Sequence, residues 1–426
     1  MAKIPNESVL SAALGLYNEG FEYLQNTRRK HHSDIFKINL LLKKVICFGG
    51  EEAASTFYDT SKFMRKGAVP PPIQKTLTGE NAIHTTDGEA HSNRKKMFMS
   101  LMTQENIARL TVLVQQELYK ALGQWQNMDE VILFHESRVI LCKAICAWAG
   151  VPLKEDEAPY VARDFTLMVD AFGSMGPRNW RGKRARHRTQ KWIKKIIKQV
   201  RNNKLPADKT SALYLTAHHR DETGELFDLQ MAAVELLNIL RPTVAIAWYV
   251  TFGATALHQY PQCRKSFLMD AGKYREWFVD ELRRFYPFAP FMGALVKKEF
   301  VWKGYNFPKG SLVLLDMYGT NHDERSWESP EKFMPERFEN RGIKPFDFLA
   351  QGGGDPNLGH RCPGEWITIE VLKVFLGFLV EKVSFSVPQQ DLTYNLARMP
   401  TLPNSGFVIT NVSSKMSKFQ TDTHSV

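Results

Sequence analysis

Cysteine is sparse and unpaired in this 426-residue sequence: the five residues, at 47, 142, 146, 263 and 362, form no disulfide framework. An odd, scattered set of thiols fits a reducing compartment, so a cytoplasmic protein is expected. Cys142 and Cys146 sit four apart on an apolar helical stretch, yet no second pair of Cys or His completes a metal site, and core packing is expected for both. The first twenty residues, MAKIPNESVLSAALGLYNEG, lack the long apolar run and the cleavage pattern of a secretory signal or anchor. The mostly apolar stretch 242–259, within the longest uncharged run, is close to the lower limit of ~18 residues for a bilayer span. It follows Arg241 directly, so a buried core helix is expected and membrane insertion is not. Internal repeats and linkers are also missing, which predicts one body over residues 1–412 and a loose polar tail over 413–426.

Acid is absent from residues 178 to 204, where twelve Lys or Arg occur, enough to account for the whole formal charge of +11. Trp192, Ile193, Ile196, Ile197 and Val200 recur there at helical spacing, which predicts an amphipathic helix with one strongly basic face. A plain solvated face and an attraction for an anionic ligand or lipid surface both fit. No recognition motif or aromatic stacking platform accompanies the run, so nucleic acid is not an expected partner.

Helical periodicity dominates what is present. Helices are predicted over 8–24, 51–58, 90–102, 104–125, 136–149, 156–172, 210–218 and 274–285. A strand region is predicted near 34–48, a small antiparallel sheet from 300–302, 305–307 and 311–315, and a last strand over 406–412. Asp228 can N-cap a helix running to about 257, roughly 45 Å long. Near its middle stands Arg241-Pro242, where proline removes a hydrogen bond at a cost of ~3 kcal/mol, a defect that calls for a functional or packing cause. The expected fold class is mainly α with a small β portion.

Residues 351–382, QGGGDPNLGHRCPGEWITIEVLKVFLGFLVEK, form a glycine-rich loop leading into a helix that is apolar almost all round. Pro363 suits the first helical position, and Gly364 lets the backbone pass close to a flat neighbour. Cys362 is thereby placed at a helix start, which favours its thiolate. A packed core cysteine, a catalytic nucleophile and an axial ligand to haem iron all remain open from these residues alone.

The order of four pieces resembles the cytochrome P450 superfamily, in which a cysteine thiolate holds haem iron. They are Cys362-Pro363-Gly364 before a buried helix, Glu281 and Arg284 in DELRRFYPF, His91 and Lys95 in HSNRKKMF, and the long helix. The resemblance spans about residues 53–412 and implies a P450 fold with the long helix over haem b. It implies Cys362 as metal ligand, His91, Lys95, Arg65 and Arg361 as cofactor-binding residues, and a partner for Glu281 and Arg284 in the stretch 335–338.

The departures narrow the family. Most members place phenylalanine seven residues before the cysteine and arginine two before it, where this chain has Asp355 and His360. Most also carry an acid and an alcohol on the central helix, where this chain has Leu240, Arg241, Pro242 and Thr243. With NILRPTVAI, MVDAFGSMGPRNWRGKRAR and RRFYPFAPFMGALVKK, the chain looks like the bacterial fatty-acid peroxygenases. That resemblance implies hydrogen peroxide and a long-chain fatty acid as partners, with no dedicated redox partner. It implies Arg241, Pro242 and His84 as catalytic residues, Arg241 pairing with the substrate carboxylate, and Phe172, Phe288 and Phe291 as channel walls. Products would be 2- and 3-hydroxy acids and terminal alkenes. Family members have Gln or His at the position of His84, and commonly Phe where this chain has Thr78. A reductase-dependent monooxygenase of a carboxylate substrate and a non-catalytic haem sensor are the alternatives.

Overall fold

Pro242 sits in the middle of the longest apolar helix, and the helix yields just past it. The computed structural model, which describes residues 3–40, 43–342 and 344–415, divides the expected single helix into Leu229–Val244 and Ile246–Gln259, joined at Ala245. Asp228 caps its start by accepting from the Met231 N–H at 2.6 Å. A proline nitrogen has no hydrogen to donate, so the regular ladder is lost locally, and Trp248 N–H closes a tighter turn onto the Ala245 carbonyl at 3.2 Å. Nearly every side chain of both segments is buried, as a core helix requires.

Around this helix pack Gln104–Trp125, Leu133–Ala149 and the helix after the cysteine loop, Glu365–Lys382, in one large apolar core. Cys142 and Cys146 are buried within it, as expected from their apolar setting. The acid-free run forms the helix Pro177–Arg201, which buries Ile193, Ile196, Ile197 and Val200. The first predicted helix breaks in two, Val9–Glu19 and Tyr23–Lys30, because Gly20 adopts a positive φ of 54° against the Leu396–Ala397 backbone. A β-carbon there would lie 2.2 Å from the Leu396 carbonyl oxygen.

The β portion is larger than the sequence suggested. Five strands lie in the order Ile35–Leu40, Lys43–Gly49, Leu312–Asp316, Phe291–Val296, Phe63–Met64. All neighbours are antiparallel except Lys43–Gly49 with Leu312–Asp316. Leu312–Asp316 therefore belongs to this sheet, not with the hairpin Phe300–Trp302/Tyr305–Phe307, which stands alone. The last strand, Val408–Ser414, pairs with Glu130–Ile132 and Val383–Ser386. Ser413 and Ser414 are thus part of a sheet and not of a loose tail; residues 416–426 lie outside the described residues.

Glu281 and Arg284 form a fully buried ion pair, with Arg284 Nε 2.7 Å from Glu281 Oε2. The same carboxylate accepts from Arg337 Nε at 3.2 Å and from the Met334 N–H at 2.9 Å, and Arg284 donates to the Asn321 and Pro330 carbonyls. The partner expected in 335–338 is Arg337. Breaking a buried pair strands a charge, so Arg284→Met is expected to destabilise the protein by ~3–5 kcal/mol. An unchanged urea midpoint would contradict that burial.

Candidate active site

A cavity of about 360 Å3 lies between the central helix and the cysteine loop. It brings together most of the residues singled out in the sequence: Cys362, His91, Lys95, Arg361, His84, Arg241, Pro242, Phe172, Phe288 and Phe291 all line it. Arg65 does not reach the wall. Its guanidinium is buried over the Phe57 ring at 4.1 Å, and its Nε has no partner.

The cysteine loop differs from expectation in two ways. Gly364, not Cys362 or Pro363, is the N-cap, and the helix begins at Glu365. The Cys362 thiol is also not lowered: burial pushes it up, more than the Gly364 backbone N–H, Lys95 and Gln351 pull it down. The helix start alone therefore does not sustain a thiolate here; a bound metal ion would. Gln351 directs its side-chain nitrogen at Cys362 Sγ, 3.7 Å away, and at Thr368 Oγ1, 3.0 Å away. The loop is braced by the Cys362 N–H bonding the Gln351 carbonyl at 2.9 Å. Arg361 gives its charge to Glu365, with Nε 2.6 Å from Oε2, and its carbonyl accepts from Lys95 Nζ at 2.6 Å.

The cavity floor next to this loop is rich in cations and poor in anions. The His91 and His360 rings lie with centroids 4.0 Å apart, tilted by 38°. Burial, then His360 and Lys95, holds His91 down at about 3, and burial brings Lys95 down to about 8. Lys95 has no carboxylate within ion-pair distance among the described residues, and neither does Arg65. Asp87, the acid that acts on Arg65, accepts from the backbone N–H groups of Arg65 and Lys66. Buried cations that their neighbours leave unmatched, beside a cavity-facing sulfur, fit a flat macrocycle that carries its own carboxylates.

The opposite wall carries a second unmatched cation. Arg241 is 4 % exposed; its Nη2 donates to Asn238 Oδ1 at 3.3 Å, and its Nε has no partner. The nearby buried carboxylate, Glu235, is taken by Arg94 at 3.0 Å, by the Ile83 N–H at 2.9 Å and by Asn238 Nδ2 at 3.2 Å. Burial, and then Arg186, pulls the Arg241 guanidinium down to about 9. Sequence reasoning found Arg241 but missed the relay Arg94, Glu235, Asn238 that orients it. The i, i+3 spacing of 235, 238 and 241 was the available signal.

His84 lies on the short turn Ile83–Thr85, and its accessible surface opens into the cavity. Burial, then Arg241, holds its imidazole down at about 3, so it is neutral throughout the physiological range. Thr243 donates its hydroxyl to the Ile239 carbonyl at 3.0 Å, and no acid stands beside it in the helix. Phe288 stacks on Tyr249 at 4.8 Å, and Phe172 meets Phe291 at 6.5 Å, so the remaining walls are apolar.

A cysteine loop facing a long helix across a cation-bearing cavity is the arrangement of a haem-thiolate protein, and comparison with known proteins agrees. The cytochrome P450 family model matches residues 268–411. Beta-amyrin 28-monooxygenase of Vitis vinifera is 25 % identical over 412 residues, which cover 87 % of this chain and 83 % of that protein. Cytochrome P450EX alpha (CYP152N1), solved with myristic acid, is 43 % identical with a TM-score of 0.93, covering 97 % of this chain and 100 % of that one. Ligand-free cytochrome P450 OleT is 35 % identical with a TM-score of 0.94, covering 96 % and 99 %. The chain belongs to the cytochrome P450 superfamily and, within it, to the fatty-acid peroxygenase family CYP152. It is an oxidoreductase whose cofactor is thiolate-ligated haem.

Reduced protein under carbon monoxide is expected to absorb at the thiolate-type Soret position, and Cys362→His to move that band to the histidine-ligated position. An unmoved band would place the ligand elsewhere. Gln351→Leu removes a donor from the sulfur and is expected to lower the ferric/ferrous midpoint potential in a redox titration.

Proposed function

We propose that this protein uses hydrogen peroxide to oxidise long-chain fatty acids at the α and β carbons, with Arg241 holding the substrate carboxylate. The observation that carries this reading is a buried guanidinium whose neighbouring carboxylate is already neutralised, set in the wall of an otherwise apolar cavity opposite Cys362. A guanidinium fork matches a carboxylate bidentately, and an apolar cavity matches an alkyl chain. The relative solved with myristic acid supports the same substrate class.

Haem, when bound, supplies the oxidising power. Cys362 would hold the iron, and Lys95 and His91 would hold the macrocycle's carboxylates, which Arg65 would meet only by swinging off the Phe57 ring, while Arg361 braces the loop through Glu365. Arg241 sets the distance between the carboxylate and the oxidising centre, so the first two carbons are the ones presented. With Glu235 taken by Arg94 and the Thr243 hydroxyl by the Ile239 carbonyl, the bound carboxylate stands in for a side-chain acid, accepting a proton from peroxide and returning it to the leaving oxygen. Pro242 disrupts the ladder just beyond Arg241, and Phe172, Phe288 and Phe291 exclude water along the chain. His84 is neutral, so it acts as a hydrogen-bond donor near the β carbon and not as an acid. Hydroxylation consumes one peroxide per acid and releases one water. Decarboxylation consumes one peroxide and releases a terminal alkene, carbon dioxide and two waters.

Relatives at about 25 % identity are named monooxygenases, which favours reductase-fed oxidation as the second reading. Turnover with peroxide and no electron donor separates the two. Arg241→Ala is expected to weaken fatty-acid binding by ~2–5 kcal/mol in a spectral titration and to abolish turnover, with partial rescue on a non-acid substrate by a small added carboxylic acid. Unchanged turnover would end the substrate-assisted account. Gas chromatography of wild-type products is expected to show substantial α- and β-hydroxy acids with detectable alkene, because Thr78 leaves less bulk near His84 than phenylalanine would. His84→Gln should lower the alkene fraction; an identical fraction in both proteins would remove His84 from that branch.

A further inference from the structure

The basic helix Pro177–Arg201 takes no part in the chemistry above, and its outer face is built in an unusual way. Trp180, Arg184, His187, Lys191, Lys195 and Lys198 follow one another at steps of three or four residues, which sets them on a single exposed stripe. The helix is about 37 Å long and is pinned by its buried apolar face, so the stripe is straight and fixed. Arg184, Lys191, Lys195 and Lys198 have no ion-pair partner among the described residues; on this helix only Arg178 and Arg188 reach a carboxylate, Asp170 and Asp164. The stripe begins with apolar side chains in water: Trp180 is 58 % exposed, and Met175, in the turn before the helix, is 89 % exposed. Met175 is three residues beyond Phe172, which lines the cavity, and Arg178 ties the helix start to the Met399 carbonyl, next to the cavity-lining Pro400.

We infer that this stripe is a docking surface for an anionic lipid bilayer, laid flat on the headgroups with Met175 and Trp180 entering the boundary between headgroups and acyl chains. Several cations on a rigid line match a continuous sheet of negative charge, and screening by salt follows from their exposure. Duplex nucleic acid would satisfy the cations but, with its bases stacked inside, offers little to an exposed methionine and tryptophan, whereas an interface of mixed polarity takes both. The contact is adsorption and not insertion of a span, and it sets the turn that leads to the cavity wall against the lipid. It holds whatever substrate the cavity takes, since binding is read without turnover.

Sedimentation of the full-length, haem-loaded protein with vesicles tests this. Binding is expected to phosphatidylcholine vesicles containing phosphatidylglycerol, to be lost in high salt, and to be absent with phosphatidylcholine alone. The triple variant Lys191→Glu, Lys195→Glu, Lys198→Glu should bind about a hundredfold more weakly with an unchanged carbon monoxide spectrum. Met175→Ser with Trp180→Ser should lower affinity several-fold while leaving the salt dependence intact. Equal binding to neutral vesicles, no binding to anionic ones, full binding by the triple variant, or capture of duplex DNA in preference to vesicles would each overturn the assignment.

Discussion

A guanidinium kept away from water without a carboxylate of its own is the constraint on which the distal half of the cavity depends. Taking an ion out of water costs several kcal/mol even after relaxation, on the order of what a whole domain has to spare. Here Glu235 could have relieved Arg241, but Arg94 and the Ile83 N–H take one of its oxygens and Asn238 the other. Asn238 then links the two charged systems, donating to Glu235 and accepting from Arg241, so the guanidinium is aimed but not neutralised. The arrangement is strained electrostatically in the free protein and relieved by any anion that fits the cavity. Affinity for a carboxylate thus comes from a destabilised wall that already exists and needs no rearrangement.

The proximal half follows the same rule with the signs divided differently. Glu365 neutralises Arg361 and also bonds Arg283, so the charges that hold the cysteine loop in shape are internally matched. Lys95, by contrast, is bound only to a carbonyl, and beside it the neutral His91 lies tilted against another imidazole. Matched charges therefore build the loop, while unmatched ones face the place of the cofactor. The buried Glu281, Arg284 and Arg337 cluster belongs to the first kind, and none of its members lines the cavity.

Features carried by local spacing could be read from the sequence, and features set by distant pairing could not. The Asp228 cap, the bounds of Gln104–Trp125 and the Glu281/Arg284 pair follow from patterns within a few residues. Strand Phe291–Val296 escaped because its sequence, FMGALV, shows no alternation until it is paired with Leu312–Asp316 and Phe63–Met64. The sign of the Cys362 shift was misread because a helix start suggests stabilised thiolate, whereas the three-dimensional enclosure of that sulfur outweighs it. The same blindness hid Glu235: an acid in an apolar helix is visible, but that Arg94, 141 residues away, cancels it is not.

The two ends of the cavity are built from elements of different stiffness, and this bears on how selection among substrates would work under the proposed function. Arg241 stands on a core helix whose neighbours are buried on all sides, so the ionic anchor has one position. Phe172 lies in the turn after the helix Ala158–Asp170, beside Gly173 and Gly176, both at positive φ, and Phe291 is the first residue of its strand; these walls are set by a turn and a strand end. A rigid anchor fixes which carbons meet the oxidant, because one ångström at that end changes the reacting atom. Softer walls alter only how much alkyl surface is covered, worth ~0.8 kcal/mol per methylene and spread over many contacts. Position of attack should therefore resist changes in chain length, while affinity tracks it.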